Sequence, residues 1–165
     1  MRVLAGILLV VFSSCTLASS PRAPDVDSLI SALAADHSNF DSSNWVRSLG
    51  LDARSKEVRQ PLQGDISYET YAGLRLQGGY QVRSVEFRRI GKHLPAITIY
   101  FERSPCLSFR QLAERYGPFQ PEGANADAGT WIYGRQLGYG KLHVHTPPRV
   151  KDGDKCVVAL AYTTD

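Results

Sequence analysis

Two histidines one residue apart, in the stretch "KLHVHT", have the spacing that most directly suggests chemistry. On a strand, positions i and i+2 face the same way, so His143 and His145 could share a metal ion while Leu142 and Val144 turn to the core. A metal site needs a third ligand and usually a fourth. The chain has four histidines, and His37 and His93 come without an HExxH pattern, a Cys-His cluster or spaced carboxylates. The expectation is a pair of strand histidines facing away from the core, with no metal and no other cofactor.

Other reaction chemistries find less support. No GxSxG is present, and the serines gather in the leader, the following tether and the helix caps, where capping and flexibility explain them. Glu69, Glu86 and Glu102 are acids on expected strands, and a glycosidase would need two of them to converge in a cleft. Cross-strand ion pairs of Glu69 and Glu86 with Arg75, Arg83 or Arg88 are the plainer expectation. Gly78 and Gly79 do not form a phosphate loop leading into a helix. No catalytic residue is assigned.

The cysteines bear on compartment. Residues 1 to 20 hold one positive charge at Arg2, an apolar run from Val3 to Phe12, and then small residues. This is the layout of a secretory signal, and a run of about ten residues falls short of the ~20 that a bilayer span requires. Thr16-Leu17-Ala18 offers cleavage before Ser19, which would leave a soluble periplasmic or secreted protein. Phe12-Ser13-Ser14-Cys15 offers another exit, cleavage before Cys15. That second stretch resembles the lipobox of bacterial lipoproteins, and the resemblance implies that Cys15 carries the lipid anchor; Phe12 stands where Leu is usual. The remaining pair, Cys106 and Cys156, is expected as a disulfide in an oxidising compartment. Closing a loop of that length stabilises by about 3 to 4 kcal/mol in the chain-entropy model.

Residues 1–18 are thus read as a signal segment, 19–24 ("SSPRAP") as a short tether, and 25–165 as one domain of ordinary size. Nineteen Lys plus Arg against sixteen Asp plus Glu give a net charge of +3, too little to imply a nucleic-acid partner. The densest basic group is Arg83, Arg88, Arg89 and Lys92, on an expected strand and turn, where a solvated face is the simplest reading.

These candidates must be positioned by regular elements. In "DVDSLISALAADH", Val26, Leu29, Ile30, Leu33 and Ala34 repeat at helical spacing behind Asp25 or Asp27 as cap. A second helix is expected in "DSSNWVRSLGLD", with Trp45, Val46 and Leu49 inward and Gly50 in the left-handed exit. From residue 65 the period becomes two. "DISYETYAGLRL" and "YQVRSVEFRRI" flank Gln77-Gly78-Gly79 as a hairpin, with a bulge near Arg83 and Ser84 because Tyr80 and Val82 face oppositely to Val85 and Phe87. "LPAITIYFE" continues the sheet. "SPCLSFRQLAERYGPF" reads as a helix ended by Gly117, residues 118–130 as a long loop, and "TWIYGRQL", "YGKLHVHT" and "KCVVALAYTT" as three strands. The expected architecture is α+β: a largely antiparallel meander of about six strands in the order ααβββαβββ, with helices on one face.

With no reaction in view, the surface carries the functional expectation. Trp131, Tyr139, Lys141, His143 and His145, together with the 118–130 loop, form the candidate contact patch, in a Tyr/Trp/Arg-rich chain of the kind used at binding hot spots. The expected function is an exported, lipid-anchored protein-binding module facing the periplasm, of the inhibitor or immunity type, with an envelope protein as partner. The alternatives are an envelope hydrolase with an unrecognised site and a structural component of an envelope assembly.

Overall fold

A computed structural model describes residues 23–35, 42–60, 65–91, 93–148 and 155–164. Cys15, the signal segment, most of the tether, Lys92 and most of the turn before the last strand lie outside the described residues.

Two helices open the fold as their spacing predicts. Helix α1 (Val26–Ala34) is capped by the Asp25 carboxylate, which accepts from the Ser28 N–H at 2.7 Å, and it buries Val26, Leu29, Ile30 and Leu33. Helix α2 (Ser42–Ser48) leads Trp45, Val46 and Leu49 into the core. It closes through Gly50 at φ 65°, and the Leu51 N–H turns back to the Val46 carbonyl at 2.8 Å.

Among the described residues eight strands follow rather than six: β1 (Glu57–Arg59), β2 (Ile66–Arg75), β3 (Gln81–Ile90), β4 (His93–Phe101), β5 (Gln120–Asn125), β6 (Thr130–Leu137), β7 (Gly140–Thr146) and β8 (Ala159–Thr164). Helix α3 (Phe109–Tyr116) separates β4 from β5, so the order is ααββββαββββ. The two unexpected strands are the sheet's edges. β1 has only three residues, too few to show a period. β5, "QPEGAN", lies inside the expected loop: Pro121 lacks an N–H and Gly123, at φ 138°, sits at a register shift. Short, bulged or Pro-bearing edges resist pairing with other chains, and the same features hide them from a periodicity reading.

All strands pair antiparallel in one sheet ordered β1-β2-β3-β4-β8-β7-β6-β5. Each half is a helical segment followed by a four-stranded meander, and the halves meet where β4 pairs with β8. The expected bulge is present between Val82 and Ser84, and a second lies between Arg88 and Ile90.

One face carries the core. Tyr71, Val85, Phe87, Ile97, Ile99, Leu160, Tyr162, Leu142 and Val144 pack with residues of α1, α2 and α3 in a single cluster. Each such large apolar side chain, fully buried, contributes about 1.5–3 kcal/mol relative to exposure. α1 is fixed at both ends: the Gln77 N–H donates to the Pro24 carbonyl at 3.0 Å, and the Ala34 carbonyl lies against Gly138. α3 is tied to α1 by Asp27, which accepts from the Tyr116 hydroxyl and pairs with Arg115 at 2.6 Å. Burial and the Asp27 carboxylate push the Tyr116 hydroxyl well above its ordinary pKa. Arg135 of β6 lies under the C-terminal end of α3 at Gly117, where its charge complements the helix dipole.

The Cys106 and Cys156 sulfurs are 2.01 Å apart, at bonding distance. Cys106 stands at the entrance of α3 as expected. Cys156 precedes the last strand instead of lying within it: β8 begins at Ala159, and Cys156 itself forms an isolated antiparallel bridge with Ser108. Among the described residues no helix is long and apolar enough to cross a membrane.

Candidate functional site: the helix-free face of the sheet

Because side chains alternate along each strand, the residues between the core positions form the opposite face, which no described helix covers. Three rows cross it. Tyr68, Arg88, Ala96, Thr163, Lys141 and Gln136 make one; Thr70, Glu86, Thr98, Ala161, His143 and Gly134 the next; Ala72, Ser84, Tyr100, Ala159, His145 and Ile132 the third. Alanine and threonine dominate where β4 meets β8. The centre is therefore a shallow floor, flanked by Tyr68, Arg88 and Glu86 on one side and by Lys141, His143 and His145 on the other.

The acids on strands are paired, though with other partners than sequence suggests. Glu86 takes Arg59 of β1 at 3.2 Å on the free face. Glu69 lies on the other face and takes Lys56 at 3.1 Å and Arg89 at 3.5 Å. Arg75, Arg83 and Arg88 were the expected partners; Arg83 instead stands 5.6 Å from the centroid of the Tyr100 ring. Burial, followed by the Glu86 carboxylate, raises the Tyr100 hydroxyl above its ordinary pKa, with Arg83 and Arg59 opposing.

The second half of the face holds a denser polar group. Glu122 of β5 reaches across β6 and contacts two residues of β7: the Lys141 ammonium, and His143 Nδ1 at 2.7 Å from Oε2. The path is open because residue 134 is glycine; a Cβ there would overlap the Glu122 carboxylate. His143 Nε2 is 3.0 Å from the Thr163 hydroxyl of β8. An ionised carboxylate only accepts, so Nδ1 carries the proton and donates to Glu122, while Nε2 can exchange a hydrogen bond with the Thr163 hydroxyl in either direction. Burial pulls the Glu122 carboxyl upward, but the bonds and charges of Lys141 and His143 prevail and leave its pKa below the usual value. His145, 3.3 Å through Nδ1 from the Thr130 hydroxyl, has a lowered pKa: burial is the chief cause and His143 adds to it.

The candidate patch read from sequence is divided by this geometry. Lys141, His143 and His145 share the free face, and Leu142 and Val144 are fully buried as expected. Trp131 pairs with Thr146, which places it on the helix-bearing side; it is 41% exposed, and its Nε1 donates to the Pro148 carbonyl at 3.1 Å. Tyr139, 69% exposed, sits in the β6–β7 turn, at the opposite end of β7 from His145. Neither histidine is fully solvated, since each has a side-chain partner. Among the described residues no group of three His, Cys, Asp or Glu could hold a metal ion.

Sequence reasoning missed Glu122 and Thr163. Glu122 lay in a supposed loop, and no spacing links it to His143; the glycine at 134 acquires meaning only once β5 is placed beside β6. The chain matches no protein family, no curated protein and no solved structure. Its function must be argued from the face itself.

Proposed function

We propose that the protein is an exported, lipid-anchored protein-binding module of the inhibitor or immunity type, which docks an envelope protein on the helix-free face of its sheet. The observation that carries this reading is that an eight-stranded sheet presents one whole face that no described helix covers. On that face half-exposed Tyr68 and Tyr100, exposed Arg88, and Lys141, His143 and His145 surround a floor of small residues. Aromatic and arginine side chains at the margins of a shallow floor are the means by which a protruding loop is held. The anchor at Cys15 remains part of the proposal, and mass spectrometry of the mature N terminus tests it: a diacylglyceryl cysteine supports it, and a free Ser19 terminus removes it.

The docking reading is tested by capture from an envelope extract with the wild-type chain, with Arg88→Glu and Tyr100→Ala on the free face, and with Glu114→Gln on α3. Capture lost in the first two and kept in the third supports the reading, and inhibition of the captured enzyme identifies the inhibitor type. Capture indifferent to the face variants refutes it.

A second reading, an envelope hydrolase, is favoured by one observation: Glu122, His143 and Thr163 stand in the order carboxylate, imidazole, hydroxyl that activates a nucleophile. Against it, the surrounding N–H groups are engaged in the strand ladders, so donors for an oxyanion are not at hand. Turnover of p-nitrophenyl acetate that is lost in both Thr163→Ala and His143→Ala would establish this reading, and turnover unchanged in those variants would remove it.

A further inference from the structure

Near the end of the free face, where β4 and β7 finish and β6 and β8 begin, the surface closes into a cavity of about 450 Å3. Its floor includes one cross-strand row, Tyr100, Ala159 and His145, in which the residue between two ring-bearing side chains has only a methyl group. Neighbouring strands lie ~4.8 Å apart, so Tyr100 and His145, two spacings apart, stand ~9.6 Å from each other at the backbone. A flat group packed at ~3.5–4 Å from each ring needs about 7–8 Å. The backbone spacing above Ala159, whose own side chain is only 3% exposed, has the width of one aromatic or similarly flat apolar group.

The rim supplies charge. Arg83 and Arg103 both line the cavity and both are exposed residues, whereas Glu102 is the one acid that lines it among the described residues, so the balance of the described lining is positive. Thr130 engages His145 through Nδ1, and Nε2 has no partner among the described residues. Pro147 and Pro148 form a wall, held by the bond from Trp131 to the Pro148 carbonyl.

The geometry points to this cavity as a binding site for a ligand with a flat apolar body ending in a carboxylate. The body lies over Ala159 between Tyr100 and His145, and the carboxylate meets the guanidinium groups of Arg83 and Arg103. A peptide C terminus with an aromatic last residue and a free aryl carboxylic acid share this chemistry. The site does not depend on partner docking, because its occupation requires only one small group at one end of the face.

The test is an NMR titration of the isotope-labelled full exported chain with three probes: 3-phenylpropionate, 3-phenylpropionamide, and acetyl-Gly-Phe with a free C terminus. The expected result is that the two acids shift the amide resonances of Tyr100, Thr130, His145 and Ala159, and that the amide binds ~10-fold or more weakly, since a charge-assisted bond is lost. The Arg83→Gln/Arg103→Gln double variant, altered only at exposed positions, should bind phenylpropionate as weakly as the amide while leaving amide binding unchanged. Ala159→Leu should abolish all binding by filling the space above that position. Tighter binding of the dipeptide than of phenylpropionate marks a chain terminus as the source, and the reverse marks a free acid. Equal affinity for acid and amide, full acid affinity in the double variant, or no shift at these residues with any probe overturns the inference.

Discussion

Replacing Gly134 by alanine should have opposite effects on stability depending on whether Glu122 is present. The φ of Gly134 lies outside the left-handed region, so alanine fits the backbone and by itself should stabilise by about 0.4–1 kcal/mol through the unfolded chain. Its Cβ, however, would occupy the space of the Glu122 carboxylate. That carboxylate is the far end of a flexible side chain, so it swings away instead of forcing the strands apart, and its contacts with Lys141 and His143 are lost. Bonds involving charged groups contribute about 1.5–3 kcal/mol when buried. Here the side chains of Glu122, Lys141 and His143 are 24%, 41% and 19% exposed, and screening reduces the two contacts together to about 1–2 kcal/mol. In the wild-type background the loss outweighs the gain, and Gly134→Ala should destabilise by up to about 1.6 kcal/mol after the unfolded-state gain is subtracted. In the Glu122→Ala background, with no carboxylate left to displace, the same substitution should stabilise by about 0.4–1 kcal/mol. Urea denaturation of the four proteins closes the double-mutant cycle, with an expected coupling of about 1–2 kcal/mol. A coupling below about 0.5 kcal/mol, or the same sign in both backgrounds, would show that Glu122 does not cross over Gly134.

Three further outcomes follow from the same geometry. Joint replacement of Cys106 and Cys156 by serine opens a loop spanning 50 positions and should cost about 3 to 4 kcal/mol, read as a lower denaturation midpoint that reduction of the wild type reproduces. Gly138→Ala forces a β-carbon onto a residue at φ 62° and against the Ala34 carbonyl at the end of α1; a loss of about 2 kcal/mol or more is expected in thermal unfolding, whereas Gly50→Ala, also at positive φ but with no atom near, should cost about 1 kcal/mol. Stability should fall with acid in two stages. The lowered pKa of His145 means that the unfolded chain takes up its proton first, so stability declines as pH drops below the ordinary 6.5 toward the folded value; the lowered pKa of Glu122 adds a loss as pH drops below the ordinary 4.5. His145→Gln should erase the upper stage and Glu122→Gln the lower one, in denaturation midpoints measured across pH.

The sequence was informative where a local signal and the tertiary structure agree. α1 combines a cap with apolar spacing and α2 combines apolar spacing with a glycine exit, and each of these acts within a few residues, so both helices were legible. The bulge at Arg83–Ser84 was legible for the same reason: the apolar residues change face inside one strand. β1 and β5 were not, because edge strands are made short, bulged or proline-bearing for the sake of the fold, and those features erase the alternation that marks a strand. The orientation of His143 and His145 followed from alternation alone, but their surroundings did not. Glu122 reaches His143 only because β5 lies beside β6 and because residue 134 has no side chain, and both facts belong to the assembled sheet. The floor of the free face depends on a still longer-range event. Ala96, Thr98, Ala159, Ala161 and Thr163 are unremarkable in their separate strands, and they become a continuous surface only when the first meander pairs with the last strand of the second. The chemistry that can be argued for this protein therefore resides in contacts between its two halves and across its edge strand, where neither composition nor spacing has reach.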